Sequence, residues 1–196
     1  MSSTDAPQDT LSRSEQELLL DVARDSIAQW LATGRALDLD AAAFPPALRD
    51  TRASFVTLRR PDGALRGCVG ELEASRPLVH SVADRARAAA FGDPRFRPLA
   101  AHELDEVGLH VSVLGDLEPI DAASEAELLA VLRPGVDGLV IDDGIHRATF
   151  LPAVWESLRD PRHFLRELFR KAGLAEAAWP PTLRAWRYEV LEFGER

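Results

Sequence analysis

The stretch Leu65-Arg66-Gly67-Cys68-Val69-Gly70, together with what precedes it, sets the expected fold class. It follows Pro61-Asp62-Gly63, a turn signal, and that turn follows a strand candidate running from Ala53 to Leu58. Two strand candidates joined by a short turn predict a β-hairpin.

A helix is expected after this hairpin, and the same order of elements recurs later in the chain. Ser75 can cap the helix, and Gly92-Asp93-Pro94 can stop it. The second copy starts at Gly138, with a strand over Leu139 to Asp142 and a turn at Asp143-Gly144. A strand over Ile145 to Phe150 and a helical pattern through Gly173 follow. Two hairpin–helix units predict an α+β fold rather than a doubly wound parallel sheet.

Further elements surround the two units. Ser12 with Glu15, and Ser14 with Glu17, are capping-box pairs that predict an N-terminal helix ending near Gly34. The other predictions are an irregular connection over residues 36–51, a strand over 107–113, a short helix opening at Ser124 and a C-terminal strand over 183–193. Residues 1–11 are expected to form a disordered polar tail, and residues 12–196 a single domain.

Composition excludes several classes of protein. Hydrophobic residues make up 46% and charged residues 28% of 196 positions, as in ordinary globular proteins. The polar N-terminus carries no secretory signal, and apolar runs such as residues 107–114 are too short to span a membrane. A single cysteine excludes an intramolecular disulfide, so the cytoplasm is the expected location. The net charge of −9 disfavours a nucleic-acid partner.

The second hairpin strand is the best candidate for a site. Side chains alternate along a strand, so Arg66, Cys68 and Gly70 are expected on one face. An arginine beside a thiol favours the thiolate, which would make Cys68 a nucleophile, a ligand or a redox sensor. Gly67 and Gly70 are typical of a strand that a backbone or a ligand approaches closely. The alternative is that Cys68 packs as a small buried residue.

Other residue patterns give weaker signals. The five histidines contain no metal-binding spacing, and the chain lacks phosphate-loop and dinucleotide motifs, so neither a metal nor a cofactor is predicted. His110 and Ser112 share a strand face and could supply a base for the thiol, or could simply face solvent. Asp93 and Arg95 lie in a segment that is typical of a helix stop, because Pro94 restricts the backbone of Asp93. The alternative is that they contribute to a site.

Arg162, Arg166 and Arg170 form a stripe at four-residue spacing on a predicted helix. Such a stripe is typical of a solvated helix face, and the alternative is a contact with an acidic partner.

Several strings, taken in order, closely resemble the AMMECR family, called AmmeMemoRadiSam system protein A in prokaryotes. They are Ser54-Phe55-Val56-Thr57-Leu58, Leu65-Arg66-Gly67-Cys68-Val69-Gly70, Asp93-Pro94-Arg95-Phe96, Val111-Ser112-Val113-Leu114, Asp137-Gly138-Leu139 and Lys171-Ala172-Gly173-Leu174. The resemblance covers nearly all of residues 18–193, with Val69 in place of the family's isoleucine. Two positions depart from the family pattern. Relatives often carry a charged or polar residue in place of Gly92, and some carry a second cysteine in place of Phe169.

The resemblance implies duplicated strand and helix units forming two lobes, with the cysteine strand bordering a cleft. It also implies two partners, a Memo-like protein and a radical S-adenosylmethionine protein, and it implies no particular reaction. The residues expected at the cleft are Arg66, Gly67, Cys68, Gly70, Asp93 and Arg95. The hypothesis is a component of a modification system that binds a small substrate or peptide there, with Cys68 as reactive thiol. The alternative is a protein–protein adaptor in which Cys68 is structural.

Overall fold

The computed structural model describes residues 11–174 and 179–195, and these fall into two compact units. The first comprises the described parts of Met1–Leu114 and Leu191–Arg196, and the second comprises those of Gly115–Val190. Helices and two four-stranded sheets make up the described chain, so the predicted α+β fold class is confirmed.

The helices and strands follow in chain order. They are α1 (Arg13–Thr33), α2 (Pro46–Arg49), β1 (Ser54–Arg59), β2 (Leu65–Gly70), α3 (Leu78–Phe91), β3 (Gly108–Leu114), β4 (Glu118–Ile120), α4 (Glu125–Val131), β5 (Gly138–Asp142), β6 (Arg147–Phe150), α5 (Pro161–Ala172), β7 (Arg184–Tyr188) and β8 (Val190–Gly194). Three short 3₁₀ segments lie at Ala41–Ala43, Ala101–Glu103 and Pro152–Glu156. None of the described helices is long and apolar enough to cross a membrane.

Helix α1 begins where the capping box predicted. The Ser12 side chain accepts a hydrogen bond from the Glu15 amide, and the Glu15 carboxylate accepts one from the Ser12 amide. Gly34 ends the helix with φ 69°, a left-handed conformation that glycine adopts without a steric penalty. Leu11, the last residue of the predicted tail, is instead buried in the core at 2% exposure. Residues 1–10, the rest of that tail, lie outside the described residues.

The first sheet has the strand order β2-β1-β3-β8, which places β2 at an edge. The predicted hairpin forms, and both β2 and β3 pair antiparallel with β1. Val56, Leu58 and Leu109 are fully buried within one core that also contains residues of α1 and α3. This side of the sheet is therefore the core side.

Two predictions next to this sheet are wrong in detail. Pro77 rather than Ser75 precedes α3, since Leu78 donates its amide to the carbonyl of Asp50 and Thr51 bridges to Pro77. This extended contact fixes the chain before the helix starts. The connection over residues 36–51 contains the short helix α2, which has Pro46 in its first turn, where a proline is tolerated.

The second sheet has the order β4-β7-β5-β6, and three of its four strands repeat an arrangement found in the first. In each sheet the second hairpin strand is the edge, the first is internal, and the strand on its other side comes later in the chain. The core contains Trp155 and Phe164, whose rings stack 3.7 Å apart, and the apolar side of α5.

The predicted C-terminal strand is divided in two. β7 belongs to the second sheet and β8 to the first, and Glu189 separates them. The carbonyl of Glu189 accepts a hydrogen bond from Gly115, outside both strand ladders. A single run of strand-forming residues therefore serves two sheets.

Candidate functional site

A β-bulge at Arg66 changes the predicted arrangement of the cysteine strand. Leu58 pairs with Gly67 and Arg59 with Leu65, so Arg66 is an extra residue without a partner in β1. A bulge interrupts the alternation that was expected to place Arg66 beside Cys68.

The side chain of Arg66 is committed to an ion pair. Its Nε and Nη2 donate to the two oxygens of Glu103 at 2.8 and 2.9 Å, and its side chain is only 5% exposed. Glu103 also accepts the amide of Ala100 at 2.9 Å. The hydrogen bond from Arg66, followed by that from Ala100, lowers the pKa of Glu103 to about 2. Arg66 is therefore a buried cation whose charge is compensated by Glu103, and its guanidinium is bound to that carboxylate.

The thiol lies on the other side of the first sheet, and we call this side, with Thr57, Cys68 and His110, the thiol face. Thr57 is directly opposite Cys68 in β1, and its hydroxyl donates to Sγ at 3.3 Å. Cys68 is half-buried rather than a core residue. Within the described residues, the Thr57 hydroxyl is thus the hydrogen-bond donor to the sulfur.

Asp93 and Arg95 brace the backbone of Cys68 at the edge of the sheet. The Cys68 amide donates to Asp93 Oδ2 at 2.9 Å, and Arg95 Nη2 donates to the Cys68 carbonyl at 3.3 Å. Both backbone groups point away from β1, so Thr57 and Cys68 form a non-hydrogen-bonded pair, in which side chains lie closer together. The brace also covers edge groups that would otherwise be open to another strand.

The brace is itself held together by charge. Arg95 donates through Nε and Nη2 to Asp93 at 2.9 and 2.7 Å. The Asp93 side chain is 2% exposed and that of Arg95 is 56% exposed. The Arg95 guanidinium, helped by the amides of Cys68 and Arg95, holds the pKa of Asp93 well below its usual range. Hydrogen bonding to Asp93, with smaller Coulombic contributions from Asp93 and Cys68, raises the pKa of Arg95. The cation that interacts with Cys68 is therefore Arg95.

The two proposed base residues are directed elsewhere. His110 lies opposite Thr57 and its ring covers Gly194, where a Cβ atom would lie 2.2 Å from Nδ1. Ser112 donates to Glu192 at 3.4 Å. Thr57, in the strand between β2 and β3, separates Cys68 from His110, so the geometry offers no direct Cys–His pair.

The two glycines flanking Cys68 serve close packing. A Cβ atom at Gly67 would lie 2.1 Å from the carbonyl oxygen of Ala89 in α3. A Cβ atom at Gly70 would lie 2.1 Å from the ring of Phe55 in β1. A helix backbone and an aromatic ring, rather than a ligand, therefore account for both glycines.

The remaining candidates lie on separate elements. Arg162, Arg166 and Arg170 are exposed on α5, whose other side buries Phe164, Leu165, Leu168 and Phe169. Arg170 pairs with Glu167 on the same helix. Within residues 11–174 and 179–195 there is no group of three or more His, Cys, Asp or Glu side chains that could hold a metal ion.

Sequence reasoning missed Thr57 and Glu103. The length of a hairpin turn normally sets the register of its two strands, and so indicates which β1 residue lies opposite Cys68. The bulge at Arg66 shifts this register by one residue, so counting from the turn alone does not identify Thr57. Glu103 lies 37 positions from Arg66, and no local pattern links the two.

Fold and site together define an α+β protein with two four-stranded sheets and a braced cysteine on an edge strand of the first. The AMMECR1 family model matches residues 20–193, and the chain belongs to that family. It is similar to a protein of Methanothermobacter thermautotrophicus, with 38% identity over 94% of this chain and 96% of the relative. A Thermofilum pendens protein is 36% identical over 94% and 92% of the two chains.

A solved structure shares the fold. The crystal structure of an uncharacterised protein from Pyrococcus horikoshii superposes with a TM-score of 0.82 and 32% identity, over 95% of this chain and 94% of the other. The resemblance read from the sequence motifs is thereby confirmed. Neither these relatives nor the solved structure is named for a function.

Proposed function

We propose that this protein is a component of a modification system and binds a small substrate or a peptide segment at the thiol face, with Cys68 as a reactive thiol. The observation that carries the proposal is the combination of a half-buried thiol in contact with the Thr57 hydroxyl and a backbone braced by Asp93 and Arg95. The Thr57 hydroxyl contacts the sulfur itself, while Asp93 and Arg95 fix the backbone from which the thiol projects, so the position of the sulfur is held from two sides.

The chemistry assigned to each residue follows from its contacts. Arg95 donates a hydrogen bond to the Cys68 carbonyl, which places a positive charge beside the residue that carries the thiol, and reactive cysteines typically have such a cationic neighbour. Thr57 donates a hydrogen bond to the sulfur and orients it. Asp93 holds both the strand and Arg95 in place, so it acts as a positioning residue.

The partners proposed are a Memo-like protein and a radical S-adenosylmethionine protein. Membership of the family supports this proposal, since the resemblance implies that setting. A cleft beside β2 is implied by the same resemblance and stays a prediction.

Alkylation of Cys68 tests the reactive thiol, and the chain's single cysteine makes the signal specific. We expect iodoacetamide to modify native protein at pH 7 several-fold faster than the Arg95→Gln variant. The Arg95→Lys variant, which keeps the charge, should retain most of the rate. Protection of Cys68 until the protein unfolds would overturn the proposal, as would unchanged substrate binding and partner turnover in Cys68→Ser.

An adaptor without chemistry of its own is the second candidate, and the exposed arginine stripe on α5 favours it. Reversal of Arg162, Arg166 and Arg170 to glutamate should then abolish association with the two partners in a co-purification assay. Cys68→Ala, the control, should leave association intact. Association that survives the charge reversal would contradict the adaptor proposal.

A further inference from the structure

A cavity of about 510 Å³ lies at one end of the first sheet. The β1–β2 turn, the chain that leads into β3 and Glu195 near the C-terminus form its walls. His110, at the margin of the thiol face, also lines the cavity. Thr57, Cys68, Asp93 and Arg95 do not, so the cavity adjoins the thiol face without including the thiol. Its volume lies within the range of small-molecule sites.

One wall of the cavity is a closed ion pair. Arg24 Nε donates to Glu195 Oε1 at 2.9 Å, and the same guanidinium donates to the carbonyls of Leu104 and Val107 at 2.7 and 3.0 Å. Glu195 also accepts the amide of Leu109 at 2.8 Å. The hydrogen-bonding groups of Arg24 and Glu195 are thus paired within the protein, and Arg24 lines the cavity without being free to bind a ligand.

Four other charged side chains line the same cavity and remain available. Arg59 and Arg60 are exposed, and Arg59 is held by a hydrogen bond from Nη1 to the carbonyl of Gly63 at 3.1 Å. Asp105 and Glu106 are also exposed. In the part of the chain that the structure describes, none of these four side chains forms an ion pair with another residue. Two cations and two anions thus line one cavity, and none of the four is neutralised by a direct ion pair in the described part of the chain.

We propose that this cavity binds a small zwitterion, a free amino acid or a short peptide, with its carboxylate on Arg59 and Arg60 and its ammonium on Asp105 and Glu106. A guanidinium group binds a carboxylate through two parallel hydrogen bonds, so the arginines are assigned to the carboxylate end of the ligand. The ammonium end carries a compact positive charge and is assigned to the two acidic side chains. A phosphate ligand is disfavoured because the carboxylates of Asp105 and Glu106 line the cavity and repel a multiply charged anion.

A titration with simple ligands tests the charge requirement. Glycine and triglycine, added to the ¹⁵N-labelled full chain, distinguish a free amino acid from a peptide by which of them binds more tightly. We expect saturable shifts of the Gly63 and Gly108 amide signals. N-acetyltriglycine lacks the ammonium and triglycinamide lacks the carboxylate, so each should bind at least about ten-fold more weakly than triglycine.

Two variants locate the binding in this cavity. A Cβ atom at Gly108 has no protein atom within 4 Å, so Gly108→Val should fold normally and block binding by filling space at a lining position. Arg60→Gln, at an exposed position, should weaken triglycine binding about ten-fold. Arg166→Gln on α5 is the matched control and should bind as the parent protein does.

Three results would overturn the proposal. They are the absence of any saturable shift with both glycine and triglycine, binding that survives both Gly108→Val and Arg60→Gln, and inorganic phosphate that binds at these amides more tightly than either zwitterion. None of these results depends on Cys68, so a failure here is distinguishable from a failure of the reactive-thiol proposal.

Discussion

Replacing Asp93 by asparagine removes the charge that holds the brace, and its cost follows from the contacts. The carboxylate accepts two backbone amides, those of Cys68 and Arg95, at 2.9 and 3.1 Å. A hydrogen bond to a charged group contributes about 1.5 kcal/mol, and asparagine can still accept one of the two amides. The Arg95 ion pair adds about 0.5 kcal/mol, because its guanidinium is more than half exposed and regains water. The expected loss is therefore about 2 kcal/mol.

Urea unfolding at pH 7 measures this loss, and hydrogen exchange of the Cys68 amide locates it. We expect the midpoint to fall without a change in slope, and the Cys68 amide to exchange faster. Arg95→Gln keeps the buried carboxylate and is the control, with an expected loss below about 1 kcal/mol.

The acid dependence of stability provides a second measurement on the same variant. The pKa of Asp93 is lowered in the folded protein, so its contribution is fully present above the unfolded value, about 3.9, and declines as pH falls below it. Asp93→Asn should remove that part of the acid sensitivity. A loss below about 0.5 kcal/mol at pH 7, with unchanged exchange of the Cys68 amide, would refute the reasoning.

Two further perturbations test the surroundings of the strand. Gly67→Ala should lower the free energy of unfolding in urea by about 3 kcal/mol or more, because the new Cβ atom would lie 2.1 Å from the backbone oxygen of Ala89. The control Gly108→Ala, which has open space around its Cβ atom, should change it by less than about 0.5 kcal/mol. Equal effects of the two substitutions would contradict this packing. Glu103→Gln should cost about 3 kcal/mol at pH 7 by leaving the buried Arg66 charge without its partner. The pKa of Glu103 is lowered to about 2 in the folded protein, so its contribution to the stability of the parent protein should be lost as the pH falls from about 4.5 to about 2. Glu103→Gln should lack this part of the acid dependence, and a Glu103→Gln profile identical to that of the parent would contradict the reasoning.

Local sequence signals predicted the elements well where a few neighbouring residues decide the outcome. The capping box at Ser12 and Glu15, the turn before β2 and the cap at Ser124 all form as predicted, because each depends on hydrogen bonds within about four residues. The start of α3 was misplaced because a contact to Asp50, distant in sequence, fixes that end.

The sequence by itself determined the α+β class, the hairpin that carries Cys68 and, through its motifs, the family. Only the tertiary structure decided which charged group contacts Cys68. Alternation along a regular strand favoured Arg66, but the bulge and the distant Glu103 withdraw that side chain, and Arg95 takes its place beside Cys68. The physical reason is that hydrogen bonds within an element are encoded locally, whereas the pairing of charges depends on which distant segments the folded core brings together.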